Sequence, residues 1–587
     1  MCGIVGITGV EGAAGAVYKR LKLLEYRGYD SAGIASLSDG GFSLCKRRGR
    51  VYSLGGDIKH LHGKTAIGHT RWATHGKPSD ENAHPHIFGK FAVVHNGIIE
   101  NYAHLKDKYF SGVEFNSETD SEVAVRLLQH FYDGDILSAV KKTVKLLVGS
   151  FALVIMCSDF DGIIVAKNKN PAIIGYGVGA NYCASDAPAL AGLCSEITVL
   201  SDGDIAVLTS DEVTIYDGDL KRVVREKIKN PALASELDLN GCPHYMLKEI
   251  REVPQSVTKT CDAYVCTSDK LRKYLKGIER IIITGCGTAY NSGLIGKRYF
   301  ESFAGIPVEV ETAGEFRYKQ PIITDKTAVI AISQSGETAD TVEAAKLVKN
   351  LGGKVIAVTN SPYSELTRIA DAVVPVEAGQ EICVAATKSY TGQIAALYLL
   401  ALTVAGKDVA DGAKKLYSVS ELTKNLIEHT DIGSLADMCA RSDGVYFLGR
   451  DLDYAVATEG SLKLKEISYI PSEGYPAGEL KHGTLALIDI RTTSVVIITD
   501  KSLAPKSENA VEQILSRRGK VAVITNLKDV AEELKEKALI LEIPECDKYL
   551  SPILSAVIVQ LLAYKTSLLL CRDPDKPRNL AKSVTVE

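Results

Sequence analysis

The chain has 587 residues, with 46% apolar and 24% charged side chains and a formal net charge of −4. This composition is typical of a globular protein with three or four domains, and it excludes disordered, collagen-like and disulfide-scaffold proteins. A net charge so close to zero also argues against a chain-wide nucleic-acid or membrane surface, so we expect small-molecule partners.

The cysteine pattern and the apolar segments predict a cytoplasmic protein. The thirteen cysteines include no Cys-x-x-Cys pair, which favours reduced thiols over a disulfide framework and argues against zinc. The N-terminal segment lacks the basic region of a secretory signal. The longest apolar stretches, 394–405 and 553–564, are shorter than the ~20 residues of a membrane span and predict core helices.

The first 220 residues predict mainly antiparallel sheet with covering helices. Short apolar segments, such as 91–94 and 151–156, are separated by turns that contain glycine and aspartate. Residues 221–240 are charged and include Pro231, which favours a linker.

Cys2 is the first candidate catalytic residue, although a cysteine at this position can also be accidental. Because its side chain is small, removal of Met1 would leave a free α-amine beside the thiol. An α-amine titrates near pH ~8, so it could accept the thiol proton, as in N-terminal nucleophile catalysis.

Eight of the twelve histidines lie between His60 and His104. A metal site is one interpretation, but the segment has no His-x3-His motif of the zinc type, and hydrogen-bonded or solvated rings account for most of them. Within this segment, Asn96-Gly97 follows a predicted strand, and on its own this pair is equally consistent with a plain turn.

Four motifs, at 1–6, 69–76, 95–97 and 117–120, resemble class II glutamine amidotransferase domains. The resemblance covers the first third of the chain. It implies an N-terminal nucleophile (Ntn) hydrolase with an αββα sandwich fold, in which two stacked sheets lie between helices. It also implies that Cys2 attacks the glutamine amide.

The same resemblance implies roles for further residues of this segment. Asn96 and Gly97 would hold the oxyanion through a side-chain amide and a backbone N–H. The implied glutamine-pocket residues are Arg71 for the carboxylate, Asp120 for the ammonium group, Trp72 as the gate to an ammonia channel, and Thr74 and His75.

The rest of the chain contains an internal repeat. The strand-like run ending at Gly285 and the segment starting at Ala313 recur, at the same offset, at Gly449 and Ala477. In each copy, runs rich in Val and Ile alternate with helical stretches, which predicts an α/β fold with a doubly wound parallel sheet. Ligands are expected at the C-terminal ends of such strands.

Hydroxyl-rich turns follow two successive strands of the first copy, at 285–289 and 333–338. Glycines, hydroxyls and a helix N-terminus together predict a phosphate cradle that has no lysine. Simple helix capping by Ser335 and Thr338 is the alternative. The second copy has Asp451 and Asp500 at the matching places, so we expect it to lack the phosphate site.

Glu459, Lys463 and Glu466 share one face of a predicted helix in the second copy. An exposed row of ion pairs is the ordinary interpretation of this spacing. Because the segment 478–483 follows it, the three side chains could instead supply acid, base and amine to a sugar.

Residues 333–338, 459–469, 478–483 and 577–587 resemble the tandem sugar-isomerase (SIS) domains of glutamine:fructose-6-phosphate aminotransferases. With the N-terminal motifs included, the resemblance runs essentially end to end. The implied domains are a glutaminase domain at 1–220, a linker at 221–240, SIS domains at 241–410 and 425–570, and a catalytic tail at 571–587.

This second resemblance implies a site without metal or organic cofactor. The implied sugar-phosphate ligands are Thr288, Ser333, Gln334, Ser335, Thr338 and Val384. Glu466 would move a proton between C1 and C2, and Lys582 would form a Schiff base, with Lys463 and Glu459 nearby. His482 would act in sugar-ring opening at the neighbouring subunit's site, which implies a homodimer.

We therefore expect an enzyme that hydrolyses L-glutamine, channels the ammonia, and converts D-fructose 6-phosphate to D-glucosamine 6-phosphate, the first step toward UDP-N-acetylglucosamine. Two alternatives stay open: a glutaminase that feeds a different phosphorylated ketose, and a C-terminal half that senses a sugar phosphate without catalysis. Ala289 and Ala386 stand where the bacterial pattern has serine. Each lost hydrogen bond should weaken sugar binding by about 0.5 to 1.5 kcal/mol.

Overall fold

The computed structural model describes residues 2–38, 41–232, 236 and 238–585. The chain forms two compact units. The first unit comprises Met1–Asp238 with Ser583–Glu587, and the second comprises Leu239–Lys582.

The first unit contains two antiparallel sheets. Its strands β1 to β15, in chain order, are Gly3–Thr8, Ser31–Ser38, Gly41–Arg48, Thr65–Arg71, His86–Phe88, Phe91–Ile99, Gly149–Cys157, Phe160–Asn168, Ile173–Tyr176, Asn181–Ala184, Glu196–Val199, Ile205–Leu208, Val213–Tyr216, Arg222–Val223 and Ile228–Lys229. The first sheet has the order β15-β11-β9-β10-β1-β4-β2-β3, and the second has the order β14-β13-β12-β8-β7-β6-β5.

Helices cover the outer faces of both sheets. Helices α1 to α4 are Ala13–Leu23, Tyr102–Phe110, Ser121–Phe131 and Ile136–Val144. Alternate residues of β6 point to opposite faces, so Val94 packs between the sheets with Ile4 and Ile67, whereas Val93 packs against α3 through Leu127. The predicted αββα sandwich is confirmed.

The second unit contains two parallel sheets with the same topology. Strands β16 to β25 are Arg280–Gly285, Val308–Thr312, Thr327–Ile332, Lys354–Thr359, Ala372–Pro375, Gly444–Gly449, Ser472–Pro476, Thr492–Ile498, Lys520–Thr525 and Leu539–Glu542. The orders β17-β16-β18-β19-β20 and β22-β21-β23-β24-β25 correspond strand for strand. This confirms the repeat and the two doubly wound domains.

Helices α5 to α17 surround these sheets. They are Tyr245–Arg251, Val253–Leu275, Thr288–Ala304, Ala313–Phe316, Ala339–Asn350, Glu365–Ile369, Lys388–Val404, Val409–His429, Gly433–Ala440, Leu452–Ser468, Ala504–Leu515, Lys528–Leu534 and Ser551–Leu569. Among the described helices, only α17 is long and apolar enough to cross a membrane. Because 83% of its apolar window is buried, it has the position of a core helix, as predicted.

Two details refine the expected organisation. Residues 221–240, expected as a linker, begin with β14 and β15, which form the edge strands of the two sheets of the first unit. In the second unit, Gly287 and Asp451 have nearly the same positive φ, +54° and +55°, immediately before α7 and α14. The two copies therefore share this turn although their side chains differ.

Candidate functional site

Cys2 lies immediately before β1, and the pairing of Gly3 with Thr70 places it beside the residues that follow β4. The backbone N–H of Trp72 donates a hydrogen bond to Cys2 Sγ at 3.2 Å. Burial raises the pKa of the Cys2 thiol, while the Trp72 N–H and the charge of Arg71 act in the opposite direction. A thiol in this environment needs a base to become a nucleophile.

Asn96 and Gly97 lie on β6, in the sheet opposite Cys2. Asn96 Nδ2 donates to the backbone oxygen of Cys2 at 2.9 Å. Gly97 has φ +131°, and a Cβ at this position would come within 1.9 Å of the Ser150 carbonyl oxygen. Only glycine fits here. The Asn96 amide therefore lies beside Cys2, on the strand that also carries Gly97.

The other predicted glutamine-pocket residues lie at the end of β4, in the loop after it and at the start of α3. Arg71 donates to the carbonyl oxygens of His75 and Gly76, so the guanidinium organises the loop after β4. The Asp120 carboxylate accepts the backbone N–H of Ile99 at 2.7 Å, two residues after Gly97. Trp72 packs edge-on to Tyr29, His75 lies edge-on to Tyr102, and Thr74 is exposed.

In the second unit, the loop between β18 and α9 forms a compact turn. Ser333 Oγ lies 3.0 Å from Thr338 Oγ1 and accepts the N–H of Gly336. The Ser335 hydroxyl accepts the N–H of Glu337. The backbone oxygen of Gln334 accepts the N–H of Asn360. The predicted hydroxyls of Ser333, Ser335 and Thr338 therefore lie on one loop at the C-terminal end of a parallel strand, whereas Thr288 lies at the start of α7.

Glu459, Lys463 and Glu466 are not an exposed row of ion pairs. The side chains of Glu459 and Lys463 are 0% and 1% exposed, and that of Glu466 is 21% exposed. Lys463 Nζ lies 2.6 Å from Glu466 and 3.5 Å from Glu459. The first copy completes the cluster, because Thr288 and Asn291 of α7 donate to the two oxygens of Glu459.

Burial controls the charges in this cluster. It raises the pKa of Glu459 to about 7, although the nearby Lys463 opposes the shift. Burial would lower the pKa of Lys463, but the charges of Glu466 and Glu459 raise it overall. The ammonium group therefore persists at neutral pH between the two carboxyl groups.

We expect the wild type to lose stability relative to the Glu459→Gln variant as the pH rises from about 5 to about 8. The measured quantity is the difference between their free energies of unfolding. The pKa of Glu459 is about 7 in the folded protein and roughly 4.3 in an unfolded chain. The folded state therefore binds more protons in this window, and the stabilisation present below pH ~4.3 is lost as the pH passes the folded pKa.

The expected change is on the order of 3 kcal/mol, measured by denaturant unfolding at several pH values. The exposed Glu421→Gln variant controls for removal of a surface carboxylate. A wild-type minus Glu459→Gln difference that is constant with pH contradicts the prediction.

Lys582 pairs with a carboxylate that the sequence analysis did not single out. Its Nζ lies 2.5 Å from Glu381 Oε2, and both side chains are buried. Burial would raise the pKa of Glu381, but the charge and hydrogen bond of Lys582 lower it to about 2. The N–H groups of Thr387 and Ser389 also bind Glu381, so this acid remains ionised and holds the lysine in place.

The tail that carries Lys582 is anchored to the first copy. Asp575 accepts the N–H groups of Tyr245 and Met246 at the start of α5. Its backbone oxygen accepts the N–H of Val384, a predicted sugar-binding residue. Because Glu381 is three residues before Val384, one loop contacts the tail at two points.

His482 is not part of this cluster. It ends a short 3₁₀ turn, Glu479–His482, and its side chain is exposed. Within the described part of the chain, it makes no hydrogen bond or ion pair with Glu459, Lys463 or Glu466. Of the sequence-predicted residues of the second unit, it is the one that lies on the surface.

Asn291 and Glu381 are the site residues that the sequence analysis missed. Asn291 lies three residues after Thr288 on the same helix, so helical spacing contained a signal for it. Glu381 lies in irregular chain, where spacing carries no such signal.

Comparison with known proteins connects these sites to characterised families. A family model described as SIS domain matches residues 274–403 and 438–570, and one described as glutamine amidotransferase domain matches residues 69–192. A solved C-terminal domain of glucosamine-fructose-6-phosphate aminotransferase from Francisella tularensis is 34% identical. It covers 58% of this chain and all of its own, with a TM-score of 0.53.

Full-length relatives extend the match to the whole chain. The glutamine–fructose-6-phosphate aminotransferase (isomerizing) of Aquifex aeolicus (strain VF5) is 44% identical over 602 residues, covering 100% of both chains. The protein of the same name from Caldanaerobacter subterraneus subsp. tengcongensis is 43% identical over 610 residues, again with 100% coverage of both. The chain therefore belongs to the glutamine–fructose-6-phosphate aminotransferase (isomerizing) family.

Proposed function

We propose that this enzyme converts D-fructose 6-phosphate and L-glutamine to D-glucosamine 6-phosphate and L-glutamate in the cytoplasm. The observation that carries the proposal is the presence of two complementary sites in one chain. Cys2 lies beside an amide donor from Asn96, and Lys582 is buried beside an ionised Glu381. The first suits release of ammonia from an amide, and the second suits activation of a ketone.

In the first unit, Cys2 attacks the glutamine amide after removal of Met1. The α-amine of Cys2 takes the thiol proton, which matters because burial raises the pKa of this thiol. Asn96 Nδ2 and the Gly97 N–H stabilise the oxyanion. Ammonia leaves, and water then hydrolyses the thioester to give glutamate. Arg71 and Asp120 hold the carboxylate and ammonium groups of the substrate.

In the second unit, Lys582 forms an imine with C2 of the open-chain ketose, and the C2 oxygen leaves as water. The protonated imine makes C2 electrophilic. Ammonia must arrive unprotonated, so it passes from the first site without mixing with bulk water. It displaces the lysine, and Glu466 then moves one proton between C1 and C2. The phosphate-binding residues are Thr288, Ser333, Gln334, Ser335 and Thr338, with Val384 against the sugar.

Each proposed reaction is assigned to its own part of the chain. Residues 1–220, together with the edge strands β14 and β15, form the glutaminase domain, 241–410 and 425–570 form the SIS domains, and 571–587 form the catalytic tail. The buried anchoring of Asp575 supports a tail that belongs to the synthase site.

The test is formation of glucosamine 6-phosphate from fructose 6-phosphate with glutamine as nitrogen donor. We expect equal amounts of glutamate and amino sugar. Glutamate without amino sugar would leave the glutaminase assignment standing and overturn the sugar assignment, and a panel of other ketose phosphates would then identify the acceptor. Other ketose phosphates are worth testing because Ala289 and Ala386 stand where the bacterial pattern has serine hydroxyls.

The enzyme acts as a homodimer in which His482 opens the sugar ring in the neighbouring subunit's site. Its exposed position supports this role, because a residue that serves its own site would lie among Glu459, Lys463 and Glu466. Leu487 and Ile490, a few residues later, are also exposed, and exposed apolar side chains are typical of an interface.

Mixed dimers of His482→Ala and Lys582→Arg should recover activity. Each variant alone is inactive, but a mixed dimer has one site with an intact Lys582 and the partner's intact His482. Random mixing should restore about a quarter of the wild-type synthase activity, measured after co-refolding or co-expression. Mixtures that stay inactive, although mass spectrometry detects mixed dimers, would place His482 in its own subunit's site.

A further inference from the structure

We propose that His69 and Asn170 are positioning residues that orient the two oxyanion donors, the Asn96 side-chain amide and the Gly97 backbone N–H. This inference deepens the proposed glutaminase function and rests on it. Neither residue touches Cys2 in the structure, and each acts through Asn96.

His69 determines which way the Asn96 amide faces. Strand alternation places His69, two residues after Ile67, on the face of β4 that packs against the second sheet, opposite Asn96 of β6. His69 Nε2 lies 3.1 Å from Asn96 Oδ1 and 3.0 Å from the His95 carbonyl oxygen. Because both neighbours are acceptors, Nε2 must carry the hydrogen.

This bond leaves the other end of the amide for Cys2. With Oδ1 held by His69, Asn96 Nδ2 faces Cys2 and donates to its carbonyl oxygen. A rotation of the amide by 180° would direct Oδ1 toward the developing oxyanion, and two oxygens would then repel each other. His69 therefore prevents the unproductive orientation.

The surroundings of His69 keep its ring neutral. The ring is fully buried, stacks on His84 with centroids 4.3 Å apart, and has no partner for Nδ1 among the described residues. Burial lowers the pKa of His69 to about 3, and the charge of Arg71 acts in the same direction. A bare Nδ1 and a protonated Nε2 form the one tautomer that fits both contacts.

Asn170 orients the second donor. Its Nδ2 donates to the backbone oxygen of Asn96 at 3.1 Å, and its side chain is buried. That carbonyl shares a planar trans peptide with the Gly97 N–H, so the two groups point in opposite directions. A fixed carbonyl therefore fixes the N–H. A Cβ on Gly97 would lie 2.5 Å from Asn170 Nδ2, so the glycine is also needed for this contact.

The test compares glutamate release by His69→Met, His69→Gln and Asn170→Ala. Loss of one oxyanion donor costs about 10²- to 10³-fold in kcat in other enzymes, and a misdirected donor should cost about 10²-fold. We expect this loss in His69→Met and Asn170→Ala, with KM for glutamine within about threefold, because the donors act in the transition state. Glutamine can replace the Nε2–H donor, so His69→Gln should recover most of kcat.

A second readout separates positioning from damage to the nucleophile. Alkylation of Cys2 by iodoacetamide displaces iodide and uses no oxyanion hole. We expect its rate, followed by peptide mass spectrometry, to stay within about threefold of wild type in all three variants. His86→Met is the matched control. His86 is also a buried ring that packs against His84, but it contacts Thr119 instead of Asn96.

The outcomes are distinct. Wild-type protein that releases no glutamate would overturn the proposed glutaminase function. Active wild type with unchanged kcat in both His69→Met and Asn170→Ala would overturn this inference alone. It would also be overturned if His86→Met lost kcat as strongly as His69→Met, or if alkylation slowed in parallel with hydrolysis, because either result indicates general disruption of the core.

Discussion

Replacing Cys2 with alanine is expected to lower the rate of glutamate release from glutamine by at least about 10³-fold. The Trp72 N–H donates to this thiol, and the Asn96 amide donates to the backbone oxygen of the same residue. Formation of glucosamine 6-phosphate from glutamine should be lost in parallel, because the second unit then receives no ammonia. Both products can be measured in one reaction by mass spectrometry.

The matched control for this variant is Cys194→Ala. Cys194 is also half-buried in the first unit, where its thiol lies 4.0 Å from the backbone oxygen of Leu190. We expect full activity from it. Glutamate release by Cys2→Ala at a rate close to wild type would exclude Cys2 as the nucleophile, provided that residual Met1 is absent from both samples.

Replacing Lys582 with arginine is expected to abolish amino-sugar formation, by at least about 10³-fold, while the glutaminase site stays intact. Arginine retains the positive charge and can pair with the ionised Glu381, so the anchored loop keeps its partner. A guanidinium group does not form an imine with a ketone at neutral pH. The variant therefore separates the covalent role of the lysine from its ion pair.

Reduction with borohydride tests this directly. In the wild type with fructose 6-phosphate, reduction of the imine should attach the sugar phosphate to the peptide that contains Lys582. The variant should show no adduct, and the exposed Lys565→Arg should behave as wild type. An adduct on Lys463 or another lysine in the wild type would move the Schiff base to that residue.

Much of the fold follows from local sequence patterns. Runs of Val and Ile such as 280–285 form buried parallel strands because both faces of such a sheet are covered by helices. The constant offset between Gly285 and Gly449 predicts a duplicated domain, and the two sheets have the same strand order. The short apolar segment 91–94 likewise predicts a buried strand. These signals are local, so no tertiary information is needed to read them.

The candidate sites depend less on local pattern. The motif around His95-Asn96-Gly97 indicates an oxyanion hole, but not that His69, 27 residues earlier, holds the Asn96 amide. Helical spacing places Glu459 and Lys463 on one face, yet it favours an exposed ion pair. Their burial arises because Thr288 and Asn291 of the other copy pack against them.

The amino-acid sequence by itself determined the domain classes, the repeat and the residue types that carry the chemistry. These properties reside in periodicity, spacing and side-chain chemistry along the chain. Only the tertiary structure decided that Glu381 pairs with Lys582, 201 residues away, and that Glu459 is buried with a pKa of about 7. The physical reason is that burial and charge pairing depend on segments that are distant in sequence, and these two effects set the protonation state of a buried carboxyl group.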